Sequence, residues 1–113
     1  MQLAKRTMQN SVILKSSHII IDASVAVPCF GDSIHALISY KEDSSQLLLS
    51  WIENSFFSKL HECHQVILKQ KDLKGSVSVP VRDVIIDYDL DDFDRALTFD
   101  FNTKNRFIKI DLN

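Results

Sequence analysis

Glycine, proline and cysteine each occur only twice in this 113-residue chain, and tryptophan once. Two glycines cannot build a glycine-rich phosphate loop or a dinucleotide fingerprint, each of which needs several at fixed spacing. There is no Gly-x-Ser-x-Gly, so the strained turn that exposes a hydrolase serine is missing as well. The two cysteines, Cys29 and Cys63, are too few for a disulfide scaffold, and both sit among apolar neighbours, as buried free thiols do. Long apolar runs are lacking too. Lys5 and Arg6 precede an apolar stretch, but Lys15, Ser16, Ser17 and His18 interrupt it, and no run approaches the ~20 residues of a membrane span. With so little linker material and no repeat, the expectation is one domain over residues 1–113, cytoplasmic and without a membrane segment.

What is present is ordinary in amount and uneven in placement. The hydrophobic fraction is 45% and the charged fraction 25%, both close to globular averages, and the net charge is −2. Residues 1–82 hold nine Lys/Arg against seven Asp/Glu, whereas residues 83–113 hold four against eight. A nucleic-acid binder needs a basic stripe, so this distribution points away from one. It suits a partner with a basic surface, which an acidic patch steers towards itself.

The pattern of apolar residues predicts strands, then a helix, then strands. "SVILKSSHIIIDAS" and "VAVPCF" are rich in β-branched residues, and Pro28 would place its strand at an edge or end it there. A Gly31-Asp32 turn leads into the alternating run 34–39. From residue 43 the period changes: Leu48, Ile52, Phe56, Leu60, Cys63 and Ile67 recur at spacings of three and four, with Asp43, Ser44 or Ser45 as N-cap and Gly75 as the stop. One helix of about 25 residues is expected there. Val77, Val79 and Val81 then alternate. Val84, Ile86, Tyr88 and Leu90 are predicted to share the inner face of a further strand, with a bulge at Arg82-Asp83 and Asp87, Asp89 and Asp91 pointing outwards. "LTFDF" and "FIKIDL" flank "NTKNR" as a hairpin. The predicted fold class is α+β: an antiparallel β-sheet with one long central helix packed on one face.

Three constellations invite a chemical reading. "DYDLDDFDRALT" opens with the Asp spacing of a calcium loop, but Asp92 stands where that loop needs Gly, and Thr98 where it needs a bidentate Glu. Asp87 and Asp89 on one strand face, joined by Asp22 or Asp100, could hold two metals, although no Lys or His is tied to them as a base. "HECH", His61 to His64, is one residue short of the His-Glu-x-x-His zinc signature, which puts the second imidazole about 100° off the first on a helix. The preferred reading assigns no catalytic residue, no metal and no cofactor. Yet the seven Asp between residues 83 and 100, against Arg95 as the one cation, exceed what a solvated strand face requires, because neighbouring like charges repel.

A small, motif-poor α+β chain with a concentrated acidic surface, carried here by "DVIIDYDLDDFDRALTFDF", resembles bacterial toxin-neutralising immunity proteins. The kind meant is that of contact-dependent growth inhibition and related polymorphic toxin systems. The resemblance implies a non-enzymatic protein–protein interaction with a cognate nuclease-type toxin that has a basic surface. The partner-binding residues it suggests are Asp87, Asp89, Asp91, Asp92 and Asp94, with Tyr88 and Phe93 as aromatic anchors. Two alternatives are a type III secretion chaperone that dimerises through the long helix, and a metal-dependent hydrolase using the Asp cluster.

Overall fold

The computed structural model describes residues 11–112. They form two five-stranded antiparallel sheets, three short α-helices and a 3-10 turn at Glu42–Ser44, so the chain is α+β, without the single long helix that the spacing predicts. In chain order the elements are β1 (Val12–Lys15), β2 (His18–Ile21), α1 (Ala23–Phe30), β3 (His35–Lys41), β4 (Gln46–Trp51), α2 (Ser55–Leu60), β5 (His64–Ile67), β6 (Lys69–Gln70), β7 (Val77–Pro80), α3 (Arg82–Asp87), β8 (Arg95–Ala96), β9 (Phe99–Asn102) and β10 (Phe107–Asp111). The first sheet has the order β6-β7-β2-β1-β8 and the second β5-β3-β4-β10-β9. Leu68, buried between β5 and β6, marks the point where the chain leaves one sheet for the other.

The inner faces of both sheets meet in a shared core. Val12 and Leu14 of β1, Ile19 and Ile21 of β2, Leu47 and Leu49 of β4, and Ile108 and Ile110 of β10 are all essentially inaccessible, with Phe30 of α1 among them. The strands expected from the β-branched residues of "SVILKSSHIII" are therefore present as β1 and β2, and the alternation that predicts the β9–β10 hairpin is real. The turn between β1 and β2 is Ser16-Ser17, both at positive φ, the mirror-image turn whose twist matches that of the flanking strands.

The expected helix from residue 43 is replaced by β4, α2, β5 and β6. The reason is that β4 lies between β3 and β10 and is buried on both faces. Leu47 and Leu49 join the main core, while Leu48 joins a second cluster with Leu37 and Phe57 on the far side. A strand buried on both faces reads as a continuous apolar run, and here it sets up spacings of three and four by chance. Asn54 then starts α2: its Oδ1 accepts the Phe57 N–H at 3.0 Å, while its Nδ2 donates to Asn105 O at 2.8 Å.

"VAVPCF" is also helical. Asp22 caps α1 by accepting the Ser24 N–H and hydroxyl at 3.0 and 2.6 Å, which holds its carboxyl below the usual range, and Val25, Ala26, Cys29 and Phe30 form the buried face. Pro28 sits on the exposed side of this helix, not on a strand edge, and Gly31 at φ 63° ends it.

Candidate functional site

The acidic segment is built differently from its expected strand. Val81, Val84, Ile85 and Tyr88 fall at spacings of three, one and three, the repeat of a helix, and residues 82–87 form α3. Arg82-Asp83 is thus its first turn and not a bulge. Ile85 is the buried residue, while Ile86, expected inside, is 63% exposed. Beyond Asp87 the chain closes the helix with a Schellman motif: the Leu90 N–H donates to Ile85 O at 2.9 Å and the Asp89 N–H to Ile86 O at 3.3 Å. Asp89 occupies the left-handed position at φ 53°, where glycine is favoured. Asp89→Gly is therefore expected to raise stability by about 0.5–1 kcal/mol, a gain readable as a higher urea midpoint at unchanged slope.

Residues 91–94 run without regular structure into β8, and Arg95 organises them. Its Nη1 donates to Phe93 O at 2.9 Å and more weakly to Asp91 O at 3.4 Å, and its Nη2 donates to Leu112 O at 2.7 Å. The same guanidinium lies 4.4 Å from the centre of the Phe93 ring. Asp94 fixes the segment a second time, its Oδ1 accepting the Ser16 N–H at 3.0 Å. Tyr88 packs on Tyr40, ring centres 4.5 Å apart. Lysine cannot reproduce the planar fork that reaches three carbonyls from one head group. Arg95→Lys is therefore expected to speed amide exchange across residues 91–94 while the β1 and β2 amides keep their protection.

The structure brings Asp87, Tyr88, Asp89, Asp91, Asp92, Phe93 and Asp94 onto one continuous exposed stretch. The carboxylates of Asp87, Asp89, Asp91 and Asp92 make no hydrogen bond or ion pair with other described residues. Phe93 is 59% exposed despite its contact with Arg95. What the sequence did not disclose is the role of Arg95; its being the one cation in an acidic run was the available signal.

No family model, curated protein or solved structure matches the chain.

The other sequence candidates separate in space. Asp87 ends α3 and Asp89 lies beyond it, so the shared strand face on which a two-metal site rested does not exist. Among the described residues, no three His, Cys, Asp or Glu side chains converge as metal ligands. His61 caps α2 and His64 opens β5, so the two are not on one helix. The His61 ring packs on Phe57 at 4.7 Å; its partial burial lowers its pKa, as do Lys41 and Lys109 nearby. Cys29 is buried in the core, which pushes its thiol up to about 12 and keeps it protonated and inert. Trp51 is half-buried beneath the Arg106 guanidinium at 4.0 Å, as part of the framework. Among the described residues, no helix is long and apolar enough to cross a membrane.

Proposed function

We propose that the chain is a non-enzymatic binding protein of the immunity type, which neutralises a cognate nuclease-type toxin by seating residues 87–94 in a basic cleft. The observation that carries this reading is a row of exposed carboxylates, those of Asp87, Asp89, Asp91 and Asp92, without partners among the described residues, on a segment tied down at Tyr88, Asp94 and Arg95. Charged groups held in place before binding lose little entropy on contact and can make charge-assisted hydrogen bonds to Lys and Arg in a phosphate-binding cleft. Ile86, Tyr88 and Phe93 would supply the apolar centre and the Asp side chains the charged surround. The excess of negative charge would also speed encounter, with an on-rate that falls as salt rises.

The secretion-chaperone alternative required dimerisation through a long helix, and the described residues contain none. The test is to replace Asp89, Asp91 and Asp92 together by Lys and titrate the variant against a nuclease toxin encoded beside this chain. A loss of about a hundredfold or more in affinity, with a flatter salt dependence and an intact fold, is the expected result. Unchanged affinity would remove the electrostatic basis of the reading.

A further inference from the structure

A basic turn lies at the edge of the first sheet opposite the one the acidic segment enters. We infer that residues 69–74, strand β6 and the turn that follows it, dock onto the acidic segment of a second copy of this chain, head to tail. The loop joins β6 to β7 and presents Leu73, which is 99% exposed, the largest exposure among the described large hydrophobic side chains. That exposure is not a product of slack. Asp72 Oδ1 accepts the N–H groups of Lys74, Gly75 and Ser76 at 2.9, 3.1 and 3.1 Å, and these bonds hold its carboxyl below the usual range. Gln70 Nε2 donates to Asp72 O at 2.7 Å, and the Lys71 N–H donates to Ser76 O at 2.8 Å. With the Asp72 charge engaged by backbone, what the loop offers to solvent is a leucine among Lys69, Lys71 and Lys74.

Topology places the complementary surface out of reach within the same molecule. The loop adjoins Val77, which pairs with Ile21 at the end of β2 distant from the Ser16-Ser17 turn. The acidic segment enters β8 at Arg95, which pairs with Leu14, and Asp94 is bonded to Ser16 itself. The two surfaces therefore lie at opposite edges and opposite ends of one five-stranded sheet. Four inter-strand steps of about 4.8 Å separate the edges by roughly 19 Å, beyond a Debye length of about 8 Å at physiological salt. A basic, leucine-tipped loop and an acidic surface bearing Ile86 and Phe93 can meet only between molecules. Because the two surfaces differ, the contact is heterologous: each added copy leaves one acidic and one basic end free, and the array stays open. Such a contact covers residues 89–94 and competes with any other occupant of that segment; it holds whether or not the occupant is a toxin.

The test is sedimentation equilibrium on the full chain and on two variants, Lys71→Glu/Lys74→Glu and Asp91→Lys/Asp92→Lys, with circular dichroism to verify the fold. Wild-type mass is expected to rise with concentration at about 20 mM salt and to fall to the monomer value at about 0.5 M, where screening is severalfold stronger. Each variant alone is expected to stay monomeric. An equimolar mixture of the two is expected to associate again, because the intact acidic segment of one variant meets the intact basic loop of the other and the two reversed surfaces complement each other as well. Leu73→Ser should weaken wild-type association about tenfold without loss of fold, through the apolar area no longer buried. A wild-type chain that remains monomeric at low salt overturns the inference, as does undiminished association of either variant. A monomer that binds anionic phospholipid vesicles through Lys71 and Lys74 also overturns it and assigns the loop to a lipid surface.

Discussion

Gly75→Ala is expected to destabilise the fold by about 3 kcal/mol, as the sum of two separate penalties. Gly75 has φ 110°, a conformation that a side chain resists wherever it occurs. A Cβ added there would also lie 2.5 Å from Cγ2 of Val27 on α1. Val27 cannot turn away cheaply, because a β-branched side chain on a helix has one strongly preferred rotamer. The consequence extends past the loop. Ser76 Oγ accepts the Ala23 N–H at 3.0 Å, so displacing residues 75–76 also loosens the first turn of α1. A double-mutant cycle separates the two penalties: Val27→Ala, on an exposed side chain, should restore the contact portion of the loss and leave the backbone portion. In a domain of this size a loss of that magnitude lowers the melting temperature by more than about 10 °C. A melting temperature within about 2 °C of wild type would contradict the close approach.

The second large effect distinguishes β4 from the helix that its spacing imitates. Leu49→Ala is expected to cost about 2–5 kcal/mol, and Leu48→Ala nearly as much, because the two project into different cores on opposite faces of one strand. Phe56→Ala and Leu60→Ala should each stay within about 0.5 kcal/mol, since these side chains are 63% and 60% exposed on the outer side of α2. A continuous helix with the stripe Leu48, Ile52, Phe56 and Leu60 inward would instead make Phe56→Ala and Leu60→Ala as costly as Leu48→Ala. Chemical denaturation of the four variants decides between the two arrangements.

These contrasts show which elements can be read from the chain and why others cannot. The β9–β10 hairpin was legible because each strand buries one face, so Ile108 and Ile110 alternate with solvated residues, and β1 and β2 were legible as strands from their β-branched residues. β4 was not, because neighbours on both sides remove the alternation and leave Leu47, Leu48 and Leu49 as an unbroken run. At α3 two periods coexist. Asp87, Asp89 and Asp91 are two apart, as on a strand, while Val81, Ile85 and Tyr88 keep helical spacing, and the core responds to the second set. For the acidic segment, the concentration of charge and the lack of calcium-loop residues were legible in the sequence. Its bracing was not, because the hydrogen bonds of Arg95 and Asp94 connect it to Leu112 and Ser16, remote in sequence.

The order in which the chain visits its two sheets bears on how it folds. It begins in the first, moves to the second at β3, returns at β6 and departs again at β9. β1 must wait for β8, since Ile13 pairs with Ala96, and β4 must wait for β10, since Leu48 pairs with Lys109. Loop closures of this span precede the contacts that compensate for them, so the transition state carries a large entropic cost and folding on the scale of milliseconds to seconds is expected. During synthesis, β1 and β4 each lack one of their two neighbours until almost the whole of this stretch has left the ribosome. Throughout that interval the nascent chain presents unpaired strand edges, and it is then, rather than once folded, that it depends most on protection from aggregation.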